Sequence, residues 1–280
     1  MPVKVRWGVL GAANIALTKV IPGMQRAAHC EVVAIASRDY ERAAGAAEKL
    51  GIGTAYGSYS ELLAAPDIDA VYNPLPNHLH MPWSIQAMQA GKHELCEKPI
   101  TLTVAECRRM IEVRDEHGVV AGEAFMVHSH PQWLRAREIA RSGEIGDMRA
   151  IQCSFSYDNR DPQNVRNVLE YGGGGLMDIG CYPITMSRWM LGREPRRVHA
   201  LVERDPAFGV DRLASAVLDF DGCQSTFTAG TQTAPYQRMQ FLGTRGRIEV
   251  EIPFNAPPDR PRARRRLGPA IIETDGNCYG

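Results

Sequence analysis

Strand-like and helix-like patterns alternate along roughly the first 125 residues, and this alternation restricts the fold more than any other feature. Apolar runs suited to strands occur at 5–10, 32–36, 70–72 and 93–96, with a further one at 119–121 leading into 123–125. Stretches with helical periodicity separate them at 15–28, 40–50, 59–64, 78–90 and 103–117. The punctuation agrees with these assignments. Asn77 is a suitable N-cap for the helix that Gly91 closes, Thr103 and Glu106 have capping-box spacing, and Gly51 and Gly118 end two other helices. Strands alternating with helices at roughly 30-residue spacing predict a parallel, doubly wound sheet with right-handed crossovers. That domain is expected to cover 1–125.

The remainder, 126–280, follows a different rule. One helix is expected at 131–142. Strands follow at 148–157, 197–203, 214–220, 224–229, 238–242 and 247–252, interrupted by a glycine run and a helix at 178–191. Asp221-Gly222 between two strand-like runs is a hairpin signal. Consecutive strands without intervening helices predict an α+β domain with a mostly antiparallel sheet. The arginine-rich stretch 260–266, interleaved with prolines, reads as a solvated loop.

Charge excludes several function classes. Lys and Arg total 32 against 32 Asp and Glu, so no global field favours nucleic acid or a membrane surface. No apolar run reaches membrane-spanning length, and no signal-peptide core is visible. The seven cysteines are odd in number, scattered and free of any C-x-x-C. They read as reduced thiols of a cytoplasmic protein. His78-x-His80 lacks cysteine or acidic partners at sensible spacing, so it reads as a helix-start pair facing a crevice, and no metal site is expected.

The chemistry-bearing motif follows the first strand. In Gly11-Ala12-Ala13-Asn14-Ile15-Ala16, Gly11 permits a tight turn, Ala13 is small enough for backbone to approach a pyrophosphate, and Ala16 lets helix pack on strand. The N-terminal N–H groups of the helix suit an anion. Alanine stands at position 13 where glycine is usual. After the second strand, NAD enzymes place an acid for the ribose diol, whereas this chain has Ser37-Arg38. A hydroxyl and a guanidinium suit a 2′-phosphate, so NADP(H) is expected over NAD(H). In Glu97-Lys98-Pro99, proline biases Lys98 toward extended backbone and holds it at a strand terminus.

Four segments together resemble the Gfo/Idh/MocA oxidoreductases. They are Trp7-Gly8-Val9-Leu10-Gly11-Ala12-Ala13-Asn14, Tyr72-Asn73-Pro74-Leu75-Pro76-Asn77-His78-Leu79-His80, Cys96-Glu97-Lys98-Pro99 and Gly172-Gly173-Gly174-Gly175-Leu176-Met177-Asp178-Ile179-Gly180-Cys181-Tyr182. The resemblance implies a Rossmann-like NADP-binding domain, then an α+β substrate and oligomerisation domain with a large, open-faced sheet. It implies Lys98 as the catalytic lysine, with Asp178 and Tyr182 completing the site. It places Pro74, Leu75, Asn77, His80, Glu97 and Arg166 at the cofactor, beside Gly11, Ala13, Asn14, Ile15, Ser37 and Arg38. It also implies a homodimer or homotetramer through the second-domain sheet, and family members continue past 271–274, so this domain is expected to be short at its end.

A phenol is a poor base at its ordinary pKa of ~10, and a neighbouring ammonium favours the phenolate. Lys98 is therefore expected to activate Tyr182. Asp178, four residues before Tyr182, is expected on the same helix face. His128 and Tyr157 are candidate substrate contacts. The expected reaction is hydride transfer between NADP(H) and the CH–OH group of a sugar, polyol or cyclic alcohol. The alternatives are trans-dihydrodiol dehydrogenase activity and a non-catalytic, cofactor-binding sensor.

Overall fold

In the computed structural model, which describes residues 4–256, 263–267 and 270–273, six strands of a first unit, Met1–Phe125, form one parallel sheet. They are β1 (Val5–Leu10), β2 (Cys30–Ala36), β3 (Thr54–Tyr56), β4 (Ala70–Asn73), β5 (His93–Glu97) and β6 (Ala121–Ala124). The sheet order is β3-β2-β1-β4-β5-β6. Successive side chains of a strand point to opposite faces, and both faces are covered. Val9, Ile35 and Tyr72 enter one apolar cluster with Ile21 and Met24, whereas Leu10, Ala36 and Val71 enter another with Leu62 and Ala87. Each large aliphatic side chain buried this way contributes about 2 kcal/mol. Two-sided burial is what places β1 and β4 at the centre.

The winding reverses at β1, which lies between β2 and β4, and such a switch opens a crevice at the strands' C-terminal ends. Gly11, Ser37, Pro74 and Lys98 follow the ends of β1, β2, β4 and β5. The intervening helices are α1 (Ile21–Arg26), α2 (Tyr40–Leu50), α3 (Tyr59–Ala64), α4 (His80–Gln89) and α5 (Val104–His117). The Thr103–Glu106 capping box is present in both directions, and Gly51 and Gly118 close α2 and α5 in left-handed conformation.

Local readings change at three places. Residues 15–28 are not one helix: a π-helical turn, Ala16–Val20, precedes α1. Pro22 lacks an N–H and fits the first turn of a new helix. Asn77 is not a cap but the first residue of a 3-10 turn, Asn77–Leu79, led in by Pro76. Pro82 holds the α-helix start close behind it, at His80. Strand β3 was not expected, since three residues are too few to show a period.

The second unit, Met126–Gly280, holds α6 (Pro131–Arg141), β7 (Met148–Asp158), α7 (Cys181–Leu191), β8 (Arg197–Arg204), β9 (Asp211–Asp219), β10 (Gln224–Gly230), β11 (Gln232–Gly243), β12 (Gly246–Val250), β13 (Ala263–Leu267) and β14 (Ala270–Glu273). Its sheet runs β14-β13-β12-β11-β7-β10-β9-β8. Among the described strands of this second sheet, only the β7–β10 pair is parallel. Ile151, Cys153, Phe155, Phe227, Met239 and Phe241 are buried on one face, which leaves Gln152, Ser154, Thr226, Thr228 and Gln240 on the other. The β9–β10 turn has Asp221 and Gly222 at φ 57° and 88°, the positive values a tight hairpin needs.

β11 begins earlier than expected, and a register shift between Gln232 and Tyr236 accommodates Pro235, which offers no ladder N–H. The arginine-rich stretch is also corrected. Arg264, Arg265 and Arg266 lie in β13, paired on both edges by β12 and β14, with Arg264 in register with Glu249 and Glu273. Pairing on both edges satisfies the backbone whatever the side chains carry. Residues 260–262 lie outside the described residues.

Candidate functional site

The first unit gathers its candidates along the C-terminal edge of the sheet. Gly11 has φ +89°, and its amide donates to the Ala36 carbonyl oxygen at 2.7 Å, binding the turn to the end of β2. A Cβ at Gly11 would lie 2.9 Å from Leu75 Cδ2, so that side chain would have to shift. Beyond it, Ala13 is half-buried while Asn14 and Ile15 are exposed, so backbone and small side chains form the surface. This arrangement fits a dinucleotide pyrophosphate.

At the end of β2, Ser37 is buried and accepts from the Asp39 amide at 3.3 Å, and Arg38 is exposed. Asp39 caps α2, accepting from the Arg42 amide at 3.4 Å. Asp39 is thereby committed to the start of the helix. Arg42, which the sequence reading missed, reaches back to the Ala12 carbonyl oxygen at 2.9 Å. Its place in the first turn of α2, directly after Ser37-Arg38, was the available signal.

Lys98 leaves β5 half-buried, and the Lys98-Pro99 peptide is cis. Glu97 accepts from the Tyr72 hydroxyl at 2.8 Å and from the Lys98 amide at 3.2 Å. Burial first, then the Glu97 charge, pushes the Tyr72 phenol far up, so it remains a donor. Glu123 accepts from the Ile100 amide at 2.9 Å, and burial raises its pKa while the Lys98 ammonium opposes the rise. Pro74 and Leu75 are buried, and Asn77 is half-buried. His80 is buried, with both ring nitrogens turned to protein carbonyls.

The second unit assembles a compact cluster at the start of α7. A π-helical turn, Leu176–Gly180, precedes the helix. Such turns recur at functional sites. Asp178 within it is buried, and its Oδ2 accepts from the Tyr157 hydroxyl at 2.7 Å and pairs with Arg166 Nε at 2.9 Å. Burial first, then the Asp178 charge, drives the Tyr157 phenol far above its ordinary pKa. The Asp178 carboxylate chiefly keeps the Arg166 guanidinium protonated, and the fields of Tyr157 and Tyr182 act in the same direction. Tyr182 is 7 % exposed, and its ring packs on Phe155 and Phe254 at centroid distances of 5.8 and 4.8 Å.

The glycine run serves the chain itself. Gly174 donates to the Arg166 carbonyl oxygen at 2.9 Å, and a Cβ at Gly173 would overlap that same carbonyl. Asp211, also missed by the sequence reading, accepts from the Leu176 amide at the head of the turn. His128 does not join the cluster. Its ring stacks on Trp189 at 5.5 Å, with the Arg137 guanidinium 4.1 Å from the same indole. Trp189 lies seven residues beyond Tyr182, which on a helix is roughly 10 Å along the axis. Among the described residues, no group of three His, Cys, Asp or Glu is placed to hold a metal, and no helix is long and apolar enough to cross a membrane.

Comparison with known proteins follows the division into units. Residues 5–125 match a family described as "oxidoreductase family, NAD-binding Rossmann fold", and residues 133–249 match the GFO/IDH/MocA C-terminal domain. The chain is 52% identical to the oxidoreductase ORF334 of Rhizobium meliloti, over 91% of this chain and 77% of that protein. It is 40% identical to D-xylose 1-dehydrogenase (NADP(+)) 2 of Haloferax volcanii, over 90% and 77%. Among solved structures, the 3-ketoreductase KijD10 of Actinomadura kijaniata, in complex with NADP and TDP-benzene, superposes with a TM-score of 0.90. That match has 32% identity and covers 97% of this chain and 84% of the other.

Proposed function

The chain belongs to the GFO/IDH/MocA family of NAD(P)-binding oxidoreductases acting on sugar-like substrates, and from that premise we propose hydride transfer between NADP(H) and the CH–OH group of a sugar, polyol or related cyclic alcohol. The observation that carries this reading is Tyr182, a buried phenol in the field of the Arg166 guanidinium, because a neighbouring cation favours the phenolate that burial opposes and so equips tyrosine to exchange a proton. Bound NADP(H) supplies the hydride donor or acceptor. The chain binds, orients and moves the proton.

In this reading Gly11, Ala13, Asn14 and Ile15 hold the pyrophosphate, and Pro74, Leu75, Asn77 and Glu97 line the same crevice. Ser37, Arg38 and Arg42 select the 2′-phosphate, supported by the engagement of Asp39 as a cap. Lys98 donates to the reacting oxygen, and Tyr182 gives or takes its proton. Asp178 fixes Arg166 and Tyr157, and Tyr157, whose one O–H is donated to Asp178, keeps its oxygen to accept from substrate. In the same proposal the enzyme is cytoplasmic and a homodimer or homotetramer. Support for assembly comes from the outer face of the second-unit sheet, a concavity of about 810 Å³ with Leu201 81% exposed at its rim.

The test pairs NADPH fluorescence with a panel of aldoses, polyols and trans-dihydrodiols. The panel also contains a nucleotide-linked keto sugar, because the likeness to a 3-ketoreductase favours that second reading. Lys98→Met and Tyr182→Phe are each expected to lower turnover about 100-fold or more. Unchanged turnover in both variants would end the mechanism, and cofactor binding without turnover of any substrate would favour a sensor.

A further inference from the structure

His80 opens α4, is 1 % exposed, and spans two loops with one ring. Its Nδ1 lies 2.7 Å from the Pro99 carbonyl oxygen, and its Nε2 lies 2.6 Å from the Leu75 carbonyl oxygen. Leu75 belongs to the loop leaving β4, and Pro99 follows Lys98 beyond β5. The aim of the ring is set by Asn73, which is 0 % exposed. Its side-chain amide donates to the His80 carbonyl oxygen at 3.2 Å, while its Oδ1 accepts from the Leu75 amide at 3.3 Å. Buried bonds of this kind have no water competing for them.

We propose that His80 is a positioning residue that sets where Lys98 stands relative to the Pro74 and Leu75 loop, its single ring N–H tying either the Pro99 or the Leu75 carbonyl. The proposal rests on the hydride-transfer reading for the role of Lys98. It gives His80 a task distinct from direct cofactor contact.

The chemistry makes the two ties separable. A carbonyl oxygen only accepts, and a neutral imidazole carries a single N–H. A neutral ring therefore donates to one carbonyl at a time, and its tautomer decides which, whereas an imidazolium donates to both. Burial opposes the imidazolium, the Pro99 and Leu75 carbonyls and the Glu97 carboxylate favour it, and the Lys98 ammonium opposes it. The balance holds the His80 pKa down, so the neutral ring with its two tautomers is the relevant form near neutrality.

Two substitutions divide the ties. Asparagine presents an amide donor where Nδ1 stands, and glutamine presents one where Nε2 stands. His80→Asn retains the Pro99 tie and is expected to keep kcat within about threefold of wild type while raising the cofactor KM. His80→Gln retains the Leu75 tie and is expected to keep the cofactor KM while lowering kcat about 100-fold, since a reacting group displaced by an ångström costs that much. Equal changes of kcat and KM in both variants, or a lowered melting temperature alone, would overturn the proposal.

A second measurement does not depend on turnover. The ring ¹⁵N resonances of His80 in the wild-type protein should show an exchange-protected N–H and no titration at the ordinary value of ~6.5. A freely titrating ring overturns the proposal. Wild-type protein inert toward every substrate would count against the hydride-transfer reading alone, and the ring spectrum would still decide the placement of His80.

Discussion

Replacing Glu94 by glutamine should remove a pH-dependent weakness from the first unit. Glu94 lies in β5, four residues before Lys98, and is 4 % exposed. The Ser84 hydroxyl donates to its Oε1, the Asn73 amide donates to Ser84 at 3.2 Å, and its Oε2 has no partner among the described residues. Burial, partly offset by the Ser84 and Asn73 hydrogen bonds, pushes the carboxyl from 4.5 up to about 7. Between those values the folded state binds more protons than the unfolded chain, so stability falls as pH rises. The contribution is whole below the unfolded value and gone once pH passes the folded one. At about 1.4 kcal/mol per pH unit, moving from 4.5 to about 7 costs about 3 kcal/mol. Glu94→Gln keeps an oxygen for Ser84 and cannot ionise. Urea unfolding followed by circular dichroism should show near-equal stability at about pH 4 and a variant more stable by about 3 kcal/mol at about pH 8. Parallel pH curves for the two proteins would refute the reasoning.

Three further outcomes follow from the same geometry. Arg38→Ala and Arg42→Ala should each weaken NADP binding about tenfold to hundredfold, the worth of a charge-assisted hydrogen bond, and leave NAD binding unchanged in a fluorescence titration. Thr103→Ala breaks the capping box of α5 and should cost about 1 kcal/mol in the same urea assay. Gly174→Ala places a Cβ at φ +118° against the Asp211 carboxylate and should destabilise by about 2 kcal/mol or more, read as a lowered melting temperature.

Much of the first unit was legible because its signals are local. Val9 and Leu10 alternate between two buried faces, Thr103 and Glu106 sit three apart, and the glycine turn directly follows its strand. The parallel first sheet and the mostly antiparallel second one followed from spacing, whereas the strand orders did not. What escaped was either short or tertiary. Thr54–Tyr56 is three residues long, and the start of β11 is masked by Pro235 and polar neighbours. Asn77 has the composition of a cap, yet Pro76 and Pro82 shift the helix start past it. The Tyr157–Asp178–Arg166 cluster joins residues 21 and 12 positions apart, and no periodicity encodes that. His80 was legible as a residue of the helix start, whereas the approach of its ring to the Leu75 and Pro99 carbonyls depends on two loops meeting in space.

The central claim is that hydride passes between the carbon of a CH–OH group and the nicotinamide. It is tested most directly with an alcohol substrate from the panel, deuterated at its carbinol carbon and incubated with NADP. The account predicts deuterium at C4 of the reduced nicotinamide, detected by mass spectrometry and proton NMR, with the transfer abolished in Tyr182→Phe. Reduced cofactor free of deuterium, or label released to water, would contradict it.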